Sequence, residues 1–378
     1  MTKAAELAKM GEVMTNSHIS GRRNIIINGD FQCWQRGTSA TTAANNFLAD
    51  RFRTNESTDG AWTVEQSSDH PTGAGFSLKS QVTTADTSIG SGQYNYLHQN
   101  IEAQNLQGLN YGTSDAKDFT LSFWVKSNKT GTYCIVVRKF DNTTYHLVHE
   151  YTIDSANTWE KKIITITPTA GSTSLITASG GAFDNDNGNG FQIGWVLTMG
   201  SLLNGGTNNT WTATTTHYAT TNQVNWTDST DNNFYLAQVQ LEIGSQATPF
   251  EHRSFGEELA LCQRYCYRLQ GATYTRIGMG FNNTSTSSSV ILHTPTAMRA
   301  NLPAITTSSL AGTSTFKIYH GAASLATVSA IAVESTGSDV DSCVITLTCT
   351  TSGVTQGTVG QLVTNNNTDA FLELDSEL

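Results

Sequence analysis

The sequence predicts an all-β protein. A jelly-roll β-sandwich is followed by a second, C-terminal β-rich module; a short central helix joins the two, and an N-terminal helix precedes them. Three observations carry this reading. Only 14% of the 378 residues are charged, against an ordinary ~25%, and the difference is filled by uncharged polar residues and glycine, with 57 Thr and 32 Gly against 5 Pro. Apolar and polar residues alternate over several runs, which is the period of a strand. Aromatic residues make up 9% of the chain and include 7 Trp, whereas disordered chains are charged and poor in aromatics.

Taken in order, residues 1–22 read as a short helix and a linker. Ala4, Leu7, Ala8 and Met14 fall at helical spacings among good helix formers. A single amphipathic helix cannot bury its stripe alone, so it docks on its own oligomer or on a larger assembly; the alternative is a frayed terminus. Residues 23–253 hold the sandwich. Asn24-Ile-Ile-Ile-Asn28 reads as a strand ended by the turn Asn28-Gly29-Asp30. Phe119, Leu121, Phe123 and Val125 alternate with polar residues, and Tyr133, Ile135 and Val137 continue on a second strand. Trp159, Ile163 and Ile164 mark another, followed by Phe191, Ile193, Trp195 and Leu197. The last strand places Tyr235, Ala237, Val239, Leu241 and Ile243 on one face and Gln238, Gln240 and Glu242 on the other. Strands in this number, with long polar loops and no helices between them, predict the jelly-roll sandwich.

Residues 254–269 read as a helix opened by a capping box of Ser254 and Glu257. Phe255, Leu259, Cys262, Cys266 and Leu269 then follow at intervals of 4, 3, 4 and 3, an a/d seam over two heptads. The same spacing also suits an ordinary amphipathic helix lying on its own domain. Residues 270–378 are dense in Ser, Thr and Gly and carry short apolar strands such as Val290-Ile-Leu292, Phe316-Lys-Ile318 and Val344-Ile-Thr-Leu347.

The composition excludes several functions. Lys+Arg 21 against Asp+Glu 31 leaves a formal charge of −10, which gives no long-range attraction for a phosphate backbone, so no nucleic-acid partner is expected. No run approaches 18 apolar residues, so no membrane insertion is expected, and Met1 to Gly21 lacks the apolar core of a signal peptide. Six thinly spread cysteines provide neither a disulfide framework nor zinc-ribbon spacing, which agrees with folding in a reducing cytoplasm.

Motifs that carry chemistry are few. There is no Gly-x-Ser-x-Gly, no P-loop and no His-Glu-x-x-His, and Asp141, Glu150 and Asp154 read as surface charges. No enzymatic activity is expected. Asp184-Asn-Asp-Asn-Gly-Asn-Gly190 resembles part of a calcium loop, but Asn189 and Trp195 stand where a Gly and a bidentate acid are required, so it reads as a turn. His146 and His149 lie three apart on a strand, hence on opposite faces. Trp211, Tyr218 and Trp226 lie in a Thr/Asn-rich loop. Rings among amides and hydroxyls suit sugar binding, because the apolar face of a pyranose stacks on a ring while its edge meets polar groups. The alternative is that these rings pin the loop to the sandwich.

Several segments carry a family resemblance. Asn24-Ile-Ile-Ile-Asn-Gly-Asp-Phe-Gln-Cys-Trp-Gln-Arg-Gly-Thr38, Ala49-Asp-Arg-Phe52 and Phe119-Thr-Leu-Ser-Phe-Trp-Val-Lys-Ser127 come first. Gln240-Leu-Glu-Ile-Gly-Ser-Gln-Ala-Thr-Pro-Phe-Glu-His-Arg253 runs into Glu257-Glu-Leu-Ala-Leu-Cys-Gln-Arg-Tyr265, and Met298-Arg299 and Glu373-Leu-Asp-Ser-Glu-Leu378 complete the set. In this order they span nearly the whole chain, and they resemble a family of phage tail fibres and receptor-binding proteins.

The resemblance implies a virion protein made in the host cytoplasm, a homotrimer, and a sandwich like the carbohydrate-binding jelly rolls. Residues 1–22 would attach to other tail or baseplate proteins, with Leu7, Met10 and Met14 as the anchor. Phe255, Leu259, Cys262, Cys266 and Leu269 would be the trimer seam, and a bacterial surface glycan would be the receptor. A structural calcium often sits in such jelly rolls between the first turn and the last strand. Here Asn28-Gly29-Asp30 matches the first part, while Ala237-Gln238-Val239 stands where an acid is expected, so no metal or cofactor is assigned. The rival functions are a decoration protein of the head or tail and a polysaccharide depolymerase.

Overall fold

The computed structural model describes residues 23–42, 45–310, 315–320, 324–350 and 353–378; the N-terminal helix expected in residues 1–22, with Leu7, Met10 and Met14, lies outside them. The chain divides into two units, residues 1–258 with Leu378, and residues 259–377.

Among its described residues the first unit contains twelve strands: β1 (Thr41–Thr42), β2 (Arg53–Glu56), β3 (Ala61–Ser67), β4 (Ser77–Thr84), β5 (Tyr94–Glu102), β6 (Phe119–Ser127), β7 (Gly131–Lys139), β8 (Tyr145–Ile153), β9 (Glu160–Ile166), β10 (Asn189–Met199), β11 (Thr210–Thr212) and β12 (Asn233–Ile243). They form two six-stranded sheets, in the orders β1-β3-β4-β12-β6-β9 and β11-β8-β7-β10-β5-β2. All the pairings are antiparallel. The alternation read in the sequence sets the core. Phe119, Leu121, Phe123 and Val125 of the first sheet share one apolar cluster with Ile135, Val137, Ile193 and Trp195 of the second. The Phe123 ring stands perpendicular to Trp195 at 5.9 Å. Each such side chain contributes roughly 1.5–3 kcal/mol when fully buried, so the two inner faces hold the sandwich together.

Two elements depart from the expected strands. Asn24–Asn28 is not a strand but a bent segment laced onto β12. Ile25 N–H donates to the Leu241 carbonyl at 2.9 Å, and Val239 N–H donates to the Gly29 carbonyl at 2.8 Å. Asn24 Oδ1 accepts from both Ile26 N–H and Leu241 N–H at 3.0 Å, so a side chain takes bonds that a neighbouring strand would have made.

β12 does not keep one inward face. Its pairing with β6 slips between Ala237 and Gln240, and Gln238 has φ +46°. This is a β-bulge, which inserts a residue and exchanges the two faces. Phe234 and Leu236 point into the core before it, Val239 and Leu241 after it. Tyr235 and Ala237 therefore leave the face that the sequence pattern assigned to them.

The central helix, α1 (Phe255–Gln263), starts as expected: Ser254 Oγ accepts from Glu257 N–H at 3.3 Å. It ends after nine residues. The chain turns where Tyr265 N–H bonds to the Cys262 carbonyl at 2.9 Å and enters β13 (Cys266–Gln270). The helix expected over 254–269 is thus corrected. Cys266 and Leu269 lie on a strand, Phe255 is 55% exposed and Cys262 is fully buried, so Phe255, Leu259, Cys262, Cys266 and Leu269 do not form one helical seam. The pairing of β13 with residues Phe371–Asp375 satisfies backbone groups that a longer helix would otherwise use.

The second unit continues with β14 (Arg276–Asn282), β15 (Ser287–His293), β16 (Ala304–Thr307), β17 (Phe316–His320), β18 (Ser324–Val333), β19 (Ser342–Cys349), β20 (Val359–Thr364) and β21 (Phe371–Asp375). Six of these close a barrel, β14-β15-β19-β18-β17-β20, and β13-β21-β16 form a small sheet. Val290, Leu292, Ile318, Ile345, Leu347 and Leu362 fill the core of this unit.

The lacing of the N-terminal segment leaves no room at Gly29, where an added Cβ would lie 2.1 Å from the Val239 carbonyl oxygen. Gly29→Ala is expected to lower the stability of the first unit by about 1–3 kcal/mol, read as a reduced denaturation midpoint. An unchanged midpoint would show that the segment does not hold the sandwich.

Candidate functional site

Packing one face of the β11-β8-β7-β10-β5-β2 sheet into the core turns the alternate residues outward, and the register orders them into rows. In the first row Asn100, Gln192, Arg138 and His146 are cross-strand neighbours. Their side chains form a ladder: Gln192 Nε2 donates to Asn100 Oδ1 at 3.0 Å, Arg138 Nη1 to Gln192 Oε1 at 3.0 Å, and Arg138 Nε to His146 Nε2 at 3.1 Å. His146 Nδ1 lies 3.2 Å from the His217 carbonyl. With Nε2 accepting, the proton belongs on Nδ1 and the ring is neutral. The second row runs Arg53, His98, Gly194, Val136, Val148, and the third Asn55, Tyr96, Val196, Cys134, Glu150.

The loop between β10 and β12 crosses part of this face. Asn209 N–H donates to the Val148 carbonyl at 2.7 Å, and Cys134 N–H donates to Gln223 Oε1 at 2.8 Å. Below it Cys134, Val136, Val148, Val196 and Ala219 are buried as a second apolar cluster. Beside the covered part lies a cavity of about 150 Å³, lined by Tyr94, Tyr96, Met199, Leu203 and Tyr218. The Tyr96 ring is 5.9 Å from Tyr94 and 5.8 Å from Tyr218. Asn55 Nδ2 donates to the Tyr96 hydroxyl at 2.7 Å. The Arg138 guanidinium sits 5.1 Å over the Tyr218 ring, which joins the aromatic cavity to the polar ladder.

Both histidines of the face are held neutral. Burial pushes His98 down to about 3, with Arg53, Arg138 and Arg51 acting in the same direction. Burial, with Arg138 beside it, pushes His146 down to about 4. His98 packs at 5.4 Å from Tyr96, and its buried Nδ1 has no hydrogen-bond partner among the described residues.

Of the three aromatic residues singled out in the sequence, only Tyr218 reaches this site. Trp211 is buried, with Nε1 donating to the Thr167 carbonyl at 3.0 Å and its ring edge-on to Tyr111. Trp226 is fully buried and edge-on to Trp62 at 5.7 Å. Both are core residues that fasten the loop, and neither presents a ring face to a ligand. Sequence reasoning missed Tyr94, Tyr96, His98 and Arg138. The signal was present in β5, where Tyr94, Tyr96, His98 and Asn100 alternate with the inward Leu97 and Ile101.

Asp30 closes the turn that the sequence matched to a calcium position. Its Oδ2 accepts from Gln32 Nε2 and Gly75 N–H, each at 3.2 Å, and burial raises its pKa. Among the described residues no three His, Cys, Asp or Glu side chains converge. A calcium ion takes six to eight oxygens, several from carboxylates, and this donor set does not fit it. Asp186 Oδ1 accepts from Gly188 N–H at 2.9 Å, closing the Asn/Asp/Gly segment as a local turn. No helix among the described residues is long and apolar enough to cross a membrane.

No family model matches the chain, and no curated protein matches it. Solved structures show distant likenesses. A candidate sugar-binding protein from Bacteroides thetaiotaomicron is 15% identical, over 58% of this chain and all of that one, with a TM-score of 0.33. The enzymatically active domain of tailspike protein 4 from bacteriophage CBA120 is 12% identical over 58% of this chain and 21% of that one, with a TM-score of 0.29. A family 11 carbohydrate-binding module from Clostridium thermocellum is 13% identical over 56% of this chain and 99% of that one, with a TM-score of 0.28. At these scores none of them lends this chain a fold or a function.

The folded His98 and His146 lie below the ordinary value of 6.5. As the pH falls from 6.5, the unfolded chain therefore takes up protons that the folded chain refuses. The stability these rings contribute is present above pH 6.5 and is lost on acidification toward pH 4 and 3. The NMR shifts of both rings are expected to stay constant between pH 8 and pH 5.5. Titration of either ring in that window would contradict the neutral ladder.

Proposed function

We propose that this chain is a homotrimeric phage tail fibre whose first unit, a jelly roll of the carbohydrate-binding type, adheres to a bacterial surface glycan through the outer face of its β11-β8-β7-β10-β5-β2 sheet. The observation that carries the reading is the cavity of Tyr94, Tyr96 and Tyr218 beside the ladder of Asn100, Gln192, Arg138 and His146. A pyranose stacks its apolar face on a tyrosine ring, and its hydroxyls meet amide and guanidinium groups whose positions neighbouring side chains already fix. Because those groups are ordered before the ligand arrives, binding loses little side-chain entropy. Adhesion requires no bond-breaking group, and the proposal assigns none. Residues 1–22 attach the fibre to tail or baseplate proteins, as the family resemblance implies, and three copies turn weak single sites into avid attachment.

Because Cys266 and Leu269 lie on β13 and not on the helix, the proposal assigns the trimer contact to another surface. The barrel offers another surface for a second copy. Met279 and Ile291 are cross-strand neighbours, as are Phe281 and Val359, and all four are between 47% and 64% exposed. Uncovered apolar neighbours of this size favour association.

Two outcomes test these assignments. On a glycan microarray, Tyr218→Ala is expected to bind about three- to tenfold more weakly than the parent protein, with an unchanged circular dichroism spectrum. Equal binding would remove the aromatic cavity from the site. In sedimentation velocity, Met279→Lys with Phe281→Lys is expected to convert the trimer to monomer. A trimer that persists would place its interface elsewhere.

A further inference from the structure

Two guanidiniums stand on the candidate face of a chain that is acidic as a whole. Overall the protein carries 31 acidic against 21 basic residues, yet Arg53 and Arg138 stand on the outer face of β2 and β7 and neither forms an ion pair among the described residues. Arg138 is held by two neutral acceptors, Gln192 and His146, and is layered on the Phe140 and Tyr218 rings at 4.8 and 5.1 Å. Its second Nη has no acceptor among the described residues. Arg53 Nε donates to the Asn45 carbonyl at 3.3 Å, and its guanidinium lies over Phe47. Glu150, the acid at the β8 end of the third row, is occupied by Thr220 and by Asn222 Nδ2. The buried His98 between the two arginines is held neutral by burial and by three guanidiniums. Three strand steps of about 4.8 Å from β2 to β7, with an offset of two residues along the strands, put Arg53 and Arg138 roughly 16 Å apart. A half-buried guanidinium fixed by neutral groups, with donors still free, is arranged for an anion that arrives with the ligand.

We infer that the glycan recognised by this face is anionic, bearing carboxylate or phosphate groups along its chain, and that Arg138, with Arg53 at the far end, reads those groups. The inference rests on the glycan-binding reading above. Since the protein is itself acidic, simple charge attraction does not draw it to a polyanion, so retention by one reports the local site.

The test is affinity electrophoresis of the full chain through gels containing polygalacturonate, its carboxyl-reduced form, phosphomannan or its dephosphorylated form. The expected result is retardation by at least one charged polymer and not by its neutral counterpart; which polymer retards the protein distinguishes carboxylate from phosphate. Arg138→Gln is expected to weaken that retention tenfold or more. Arg53→Gln, on the edge strand β2, is the second variant should Arg138→Gln unfold. Equal retardation by the charged and neutral forms, or full retention by both variants, would overturn the inference and leave the glycan-binding reading intact. Retardation by none of the four, together with no binding on the glycan microarray, would overturn both.

Discussion

Aromatic packing between the two six-stranded sheets is the interaction on which the rest of the N-terminal unit depends. It runs as a chain of rings: Phe31 lies 4.6 Å from Phe52, Phe52 lies 6.0 Å from Trp195, and Trp195 meets Phe123 at a right angle. These contacts tie the N-terminal turn, the second sheet and the first sheet into one core. Because side chains on a strand alternate strictly, fixing Leu97, Ile135, Ile193 and Trp195 inward commits Tyr96, Arg138, Gln192 and His146 to the opposite face. The candidate site is therefore a by-product of core packing, and its geometry is as rigid as the core beneath it.

Much of this was legible in the sequence, and the exceptions have physical causes. β6, β7 and β10 follow their alternating patterns as interior strands, each paired on both sides within its sheet. β12 misled only up to Ala237, before the point where one inserted residue exchanges its faces, and pattern reading cannot see an insertion that the chain absorbs locally. The segment Asn24–Asn28 has strand-like composition but takes its bonds from side chains and from one neighbour, a choice made by tertiary context. The apolar spacing that continued past Gln263 belonged to a strand pairing with β21, more than a hundred residues later, and no local signal marks that pairing.

The site was harder to read than the fold. Trp211, Tyr218 and Trp226 share a polar loop, and composition gives the three equal standing. Only packing distinguishes a ring that fastens a loop from one that faces a ligand. The arginine, glutamine and histidine of the ladder come from three different strands, so their meeting is a property of register and not of any motif. Tyr94, Tyr96, His98 and Asn100 did carry a signal, since polar and aromatic residues occupied the outward face of a strand whose other face was plainly core. Such a strand invites the question of what its outer face meets.

The closed barrel of the second unit has a consequence for how copies of the protein meet. Every strand in it is paired on both sides, so it offers no unpaired backbone edge to a neighbour. Crowded copies cannot grow by strand addition through this barrel, and contact there must be made by side chains such as Phe281 and Met279. Side-chain contacts have a defined shape and saturate, whereas backbone edges propagate. The barrel is thereby protected from polymerising by strand addition.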